Sequence, residues 1–358
     1  MASATTKSAP PANIEQFMGK MLGDVGAAFS GALVLVGDKL GLYKVLAAHG
    51  PLTSAKLAER TGTAERYVRE WLAANAAAGY VNVDARAQQY SMSAEQIAVF
   101  ADNESEFCMT GGFYALAATY LDEPKITAAF KSGKGVAWGD HSECLFCGTE
   151  RFFRSGYAAH LVQDWLPALE GVVEKLKRGI TVADVGCGHG ASTILMAKAF
   201  PNSTFIGFDY HPASIECANK SAREAGVAGR CKFEVAAAKS FPGANYELIA
   251  VFDCLHDMGD PVGAAKHIRQ ALKPDGTWLI VEPFAGDSLA ENMNPVGRIF
   301  YAASTMVCVP ASLSQEVGLA LGAQAGETQL RKVVQEGGFT RFRRAMSTPF
   351  NLILEARP

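Results

Sequence analysis

From Ile180 to the C-terminus, short unbroken apolar runs alternate with longer stretches whose apolar residues recur every three or four positions. A continuous apolar run of four to eight residues bounded by turn signals reads as a buried strand, and the longer periodic stretches read as amphipathic helices. Strands are therefore expected to end at Asp184, Asp209, Asp253 and Glu282, with a further strand over Cys231–Val235. Helices are expected over Ala191–Phe200, Pro212–Ala225 and Val262–Leu272. Such alternation predicts an α/β fold, a parallel sheet covered by helices on both faces. A helix over 328–338 and a closing hairpin, Phe339–Arg344 with Phe350–Ala356, complete the domain, 179–358.

The first third reads differently. Residues 1–12 are polar and rich in Ala, Ser, Thr and Pro, the signature of a loose tail. Residues 13–105 predict a small helical domain: helices over Ile14–Leu22 and Ala27–Ala48, a stop at Gly50-Pro51, and a short helix capped by Thr53 or Ser54. A helix over Thr63–Ala78 and two short strands around a polar turn follow, which together make a winged-helix pattern. Residues 106–178 predict a helical linker and pocket wall, dense in aromatics, with a glycine-rich break at Gly133–Gly139.

Composition narrows the function classes. The 358 residues are 49% hydrophobic and 19% charged, which suits a large core and argues against global disorder. The net charge of −3 gives no general attraction to nucleic acid. On the expected recognition helices Lys56, Arg60, Arg66 and Arg69 face Glu59, Glu65 and Glu70, so DNA binding is not expected. No membrane association is expected either, since the longest early apolar run, Ala32–Val36, is too short to span a bilayer. Eight scattered cysteines fit a soluble protein of a reducing, cytoplasmic compartment. Cys144 and Cys147 near His141 lack a second ligand pair, so no metal site is expected.

The chemistry centres on Val182–Thr193, where Asp184 precedes three alternating glycines, Gly186, Gly188 and Gly190. Such a turn at a helix N-terminus lets a ligand lie against the main chain. Nineteen residues beyond Gly190, Asp209 ends the next strand, where an acid can accept hydrogen bonds from ribose hydroxyls. A dinucleotide is one occupant that this spacing allows. The acid before the first glycine, the open G-x-G-x-G loop and the Leu272–Glu282 helix-turn-strand instead resemble the class I S-adenosylmethionine-dependent methyltransferases. That resemblance covers residues 179–285 and the C-terminus, and it implies a Rossmann-like sheet and S-adenosyl-L-methionine as cofactor. It also implies cofactor contacts from Asp184, Gly186, Gly188, Gly190, Asp209, Tyr210 and Asp253. The acid that the family often carries after the third strand is missing here, so adenine is expected to rest on backbone and apolar contact around Ala237.

The segment Leu255-His-Asp-Met258 is similar to the Leu-His-Asp-Trp stretch of plant-type small-molecule O-methyltransferases. It implies His256 as general base with Asp257 beside it and Glu282 orienting the ring. The expected substrate pocket draws on Trp138, His141, Phe152 and Tyr157, with Phe300 and Tyr301 from a lid over 284–326. The whole-chain layout resembles the actinobacterial type of winged-helix methyltransferases. It implies a small, partly apolar methyl acceptor and a homodimer built through the winged helix. Two other readings remain at this point: an NAD-dependent oxidoreductase, and a methyltransferase-fold regulator that binds DNA through the winged helix.

Overall fold

A computed structural model describes residues 13–358, and the tail expected over residues 1–12 lies outside them. The chain forms two compact units that divide between Phe113 and Tyr114. Residues 114–178 thus belong to the second unit rather than to a separate linker.

The first unit is helical, with strands β1 (Asn82–Asp84) and β2 (Gln89–Ser91) paired antiparallel as the wing. Its first helix runs unbroken over Ile14–Lys39, through the glycines where two helices were expected. The break falls at Gly41, whose φ of 69° a side chain would disfavour. Thr53 caps the helix Ser54–Thr61 by accepting the Lys56 N–H. The core gathers Tyr43, Leu57, Trp71, Leu72 and Phe100. Gly37 is required there, because a Cβ would come within 2.5 Å of the Trp71 and Tyr43 rings.

By length and composition the helix Ile14–Lys39 is long and apolar enough to cross a bilayer, as is Pro295–Leu313. The core helix of a soluble protein passes the same test. Glycines and alanines between the larger apolar residues keep the whole helix low in charge.

The second unit carries a seven-stranded sheet of β3 (Thr181–Val185), β4 (Thr204–Asp209), β5 (Cys231–Val235), β6 (Tyr246–Phe252), β7 (Leu272–Pro283), β8 (Arg341–Ser347) and β9 (Asn351–Arg357). The order is β5-β4-β3-β6-β7-β9-β8, parallel as far as β7, with β9 antiparallel between β7 and β8. Successive residues of a strand point to opposite faces, so the two cores divide residue by residue. Val182, Leu248, Ala250 and Leu279 pack on one side. Ala183, Val185, Ile249, Val251 and Trp278 pack on the other. Strand order reverses between β3 and β6, and ligands of open α/β sheets bind outside the carboxyl ends at such a point. The helix Thr110–Ser132 runs through Pro124. Buried Ala118 and Ile126 on either side supply packing that outweighs the lost backbone donor.

Candidate active site

The glycine turn after β3 is tied to β4 by its own backbone: Gly186 and Cys187 N–H both donate to Phe208 O, at 2.7 and 3.1 Å. Asp209 locks the turn further. Its Oδ2 accepts the Gly188 N–H and its Oδ1 the His211 N–H, each at 2.9 Å. Around this turn opens a cavity of about 440 Å³, within the usual range for a small-molecule site.

Several expected cofactor residues line it: Gly186, Gly188, Asp209, Tyr210, Ala237 and Asp253. Gly188 is the open point, since a Cβ there would meet nothing within 4 Å. Ala236, Ala237 and Ala238 form the apolar wall where an acid was missed. Two expectations are corrected. Asp184 is fully buried and absent from the wall. Its position on β3 points it at the helix Ala191–Ala199, where its Oδ2 accepts the Ser192 and Thr193 hydroxyls at 2.7 and 2.6 Å. Gly190 also stays behind the wall, its φ of 80° and a would-be Cβ only 2.5 Å from Phe233 making it a packing glycine.

The helix Glu143–His160 supplies a wall that the sequence reading caught in part. Phe146, Thr149, Glu150, Phe153 and Tyr157 all line the cavity. Their spacing of three and four places them on one helix face, a signal that was present in the sequence. Phe152 falls on the flank, edge-on to Phe153, so it is not a pocket residue. Trp138 and Tyr157 are; His141, Phe300 and Tyr301 are not on the wall. Phe300 packs into a small cluster with Cys308 and Ala323. The expected lid contributes Ala311, Gln315 and Glu316 instead.

Acids dominate the electrostatics. Asp253 takes the left-handed conformation, φ 50°, and accepts from the Tyr157 hydroxyl at 2.7 Å and the Asn351 amide at 2.9 Å. Burial, with Glu282 and Asp257 nearby, pushes its pKa up to about 8. Burial and the charge of Asp209 raise Asp184 to about 6 against the pull of its two hydroxyls. Burial likewise raises Asp209 and Asp257. The lysine on the wall, Lys239, is spent on Glu316 at 2.7 Å and Asp260 at 3.3 Å.

His256 lies behind the wall rather than on it, and Asp257 occupies the cavity face. Its Nδ1 is 2.5 Å from Glu282 Oε2, while Glu282 Oε1 accepts the Leu255 N–H at 2.8 Å. Its Nε2 stands 3.2 Å from Asp257 Oδ1. Burial would lower the imidazole pKa, but the two flanking carboxylates outweigh it and raise the pKa well above the ordinary value. Cys308 also borders His256 and Asp257; burial and the charge of Asp257 push its thiol up to about 12 against the pull of His256.

Comparison with known proteins defines the class. Residues 176–338 match the family described as "Methyltransferase domain", and residues 28–101 match the "Rv2258c-like winged HTH domain". The chain therefore carries a class I S-adenosylmethionine-dependent methyltransferase domain joined to an N-terminal winged helix, with S-adenosyl-L-methionine as the cofactor of that domain. Among curated proteins it is similar to 27-O-demethylrifamycin SV methyltransferase of Amycolatopsis mediterranei, 31% identical over 34% of this chain and 48% of that protein. The chain spans about half the length of the curated relatives it matches. Its fold is similar to human N-acetylserotonin methyltransferase in complex with SAM (TM-score 0.70, 16% identity, 98% and 99% of the two chains). It is also similar to an O-methyltransferase family protein of Burkholderia thailandensis (TM-score 0.69, 17% identity, 98% and 99%).

Proposed function

We propose that the protein methylates an oxygen of a small, partly apolar acceptor. The observation that carries this reading is the acid-lined cavity at an open glycine turn. Asp209, Asp253 and Asp257 line it, each with a raised pKa, and its lysine is already paired. Such a site favours a cation, as the sulfonium and ammonium of the methyl donor are, and disfavours the diphosphate of a dinucleotide. The open space at Gly188 and the alanine wall fit the donor's amino-acid tail and adenine.

S-adenosyl-L-methionine, when bound, supplies an activated methyl group, so the chain has to align the acceptor, exclude water and take a proton. Trp138, Phe146 and Phe153 give the acceptor an apolar wall. The expected base role of His256 passes to a coupled pair: Asp257 receives the hydroxyl proton at the wall, His256 stabilises the charge behind it, and Glu282 fixes the ring. Calorimetric titration checks the cofactor side. S-adenosylhomocysteine should bind at micromolar strength and NAD should not, and the reverse result removes the proposal.

A homodimer of a cytoplasmic enzyme is part of the same reading. Met18, Leu22, Val25, Phe29, Ala32 and Val36 are exposed on the helix Ile14–Lys39. They repeat at four- and three-residue steps, the spacing of a coiled-coil seam. Only Gly31, Val34 and Gly37 of that helix are buried, and most helical stability in proteins comes from packing an apolar face. A second copy of the same helix would cover the seam. Leu22→Glu with Phe29→Glu should convert a dimer to a monomer in analytical ultracentrifugation. A monomeric parent, or one that partitions into vesicles, counts against it. DNA is not a proposed partner, since Lys56, Arg66 and Arg69 are each paired with a glutamate.

A further inference from the structure

Among the described residues, His256, Asp257 and Cys308 form a group in which one candidate ligand atom of each lies within 4.8 Å of the others. The group is separate from Cys144 and Cys147, and two elements build it. The short helical turn Leu255–Asp257 after β6 carries the imidazole and the carboxylate, and Cys308 ends the π-helical turn Ser304–Cys308. Such turns are rare and occur mostly at functional sites. This one widens the helix just where the thiol meets His256 and Asp257, and Cys308 is a hydrogen-bonding neighbour of both.

His256 has one nitrogen to offer. Its Nδ1 donates to Glu282 at 2.5 Å, and Glu282 also accepts the Leu255 N–H at 2.8 Å. A metal-binding histidine commonly gives its other ring nitrogen to a carboxylate in this way, which fixes the ring and aims the free nitrogen. That nitrogen, Nε2, lies 3.2 Å from Asp257 Oδ1, yet the two are not aligned as a hydrogen bond. Zinc bonds of about 2.0–2.3 Å at the tetrahedral angle place neighbouring ligand atoms roughly 3.2–3.6 Å apart, so this pair is already spaced for a shared ion. Asp257 also lines the cavity, which gives an ion its approach and a water the fourth position. One thiolate, one imidazole and one carboxylate suit zinc, whereas magnesium and calcium take oxygen ligands. We propose that His256, Asp257 and Cys308 bind a zinc ion, with Glu282 as the positioning residue behind His256. Binding releases the protons of the thiol and of Nε2 to solvent, and the thiolate and carboxylate then balance the charge of the ion. The site does not depend on the methyl-transfer reading. Under that reading zinc and the relay proton compete for Nε2, so the zinc-bound chain is a resting form.

The test uses the full chain, reduced and stripped of metal, titrated with zinc alone against a chromophoric chelator and with cobalt by absorbance. Zinc should bind at micromolar strength or tighter, and magnesium in large excess should not displace it. Cobalt should give a thiolate-to-metal charge-transfer band and the intense visible bands of tetrahedral coordination. Cys308→Ala should abolish the charge-transfer band, and Glu282→Gln should weaken zinc binding by about 10–100-fold with the cooperative thermal transition retained. Should Glu282→Gln fail to fold, Cys308→Ala carries the decision. Cys147→Ser and Cys217→Ser, which remove exposed thiols, should change neither readout. A band that survives Cys308→Ala or is lost with the exposed thiols overturns the inference, as does zinc binding weaker than micromolar. Binding of S-adenosylhomocysteine to the metal-free chain reports on the methyl-transfer reading separately, so failure there removes that reading and leaves the zinc site standing.

Discussion

Two of the second unit's histidine–carboxylate pairs, both buried, look alike until the far ring nitrogen is considered. His256 is held by Glu282 through Nδ1 and has a second acid, Asp257, 3.2 Å from Nε2. His141 is held by Asp122 through Nδ1 and has nothing at Nε2. With acids on both sides the first ring is drawn toward its charged form; in the second pair the carboxylate is satisfied by four donors and the far ring nitrogen has no hydrogen-bond partner. A dyad therefore does not define its own chemistry. What sits on the other nitrogen decides whether it moves a proton or receives a hydrogen bond.

The largest effect should come from breaking the first pair. His256→Ala removes the cation that makes Asp257 a workable proton acceptor, so turnover should fall by about 10²–10⁴-fold, the usual range for acid–base catalysis. The dissociation constant for S-adenosylhomocysteine should stay within a few-fold, because His256 is not on the cavity wall. Single-turnover kinetics beside calorimetry separates the two quantities. Equal losses in both would mean that His256 supports the fold of the site rather than its chemistry, and the contrast between the dyads would disappear.

The parts of this arrangement readable from the chain are those set by local physics. Buried parallel strands are unbroken apolar runs, so the ends of β3, β4 and β6 and their acids could be placed without a structure. Asp209 and Asp253 were found this way, whereas the pairing of His256 with Glu282 came from the resemblance to plant-type O-methyltransferases. What could not be read was direction. Asp184 occupies the expected place, but strand alternation turns it into the helix Ala191–Ala199 rather than the cavity. The choice of Phe152 over Phe153 was an error of helix phase, because adjacent residues lie about 100° apart. Asp122 and His141 are nineteen positions apart, across a loop, and no periodicity links them. In the first unit residues 23–26 fell between two expected helices, yet a glycine weakens a helix by only about 1 kcal/mol relative to alanine and the helix continues through them.

A smaller effect sharpens the comparison from the acids' side, through stability against pH. Asp122, held at about 2, is charged in the folded state over most of the pH range. Its contribution is present above the usual carboxylate range and is lost as pH falls through that value. Asp253, pushed up to about 8 beside the first pair, has the opposite sign. The folded state prefers it protonated, so its contribution is present at low pH and is lost as pH rises through about 8. Asp122→Asn should thus lower Tm by several degrees at pH 7, with the gap narrowing toward pH 2–3. Asp253→Asn should raise Tm by a few degrees at pH 9 in the cofactor-free protein, with little difference at pH 5. Because a bound cation favours the charged carboxylate, saturating S-adenosylmethionine should shrink the pH 9 gain, whereas the Asp122→Asn loss at pH 7 should be insensitive to it. Thermal melts at three pH values with and without cofactor check all of this. Parallel pH trends in the two variants would show that the carboxylates share one environment, and the distinction drawn between the two dyads would then have no electrostatic basis.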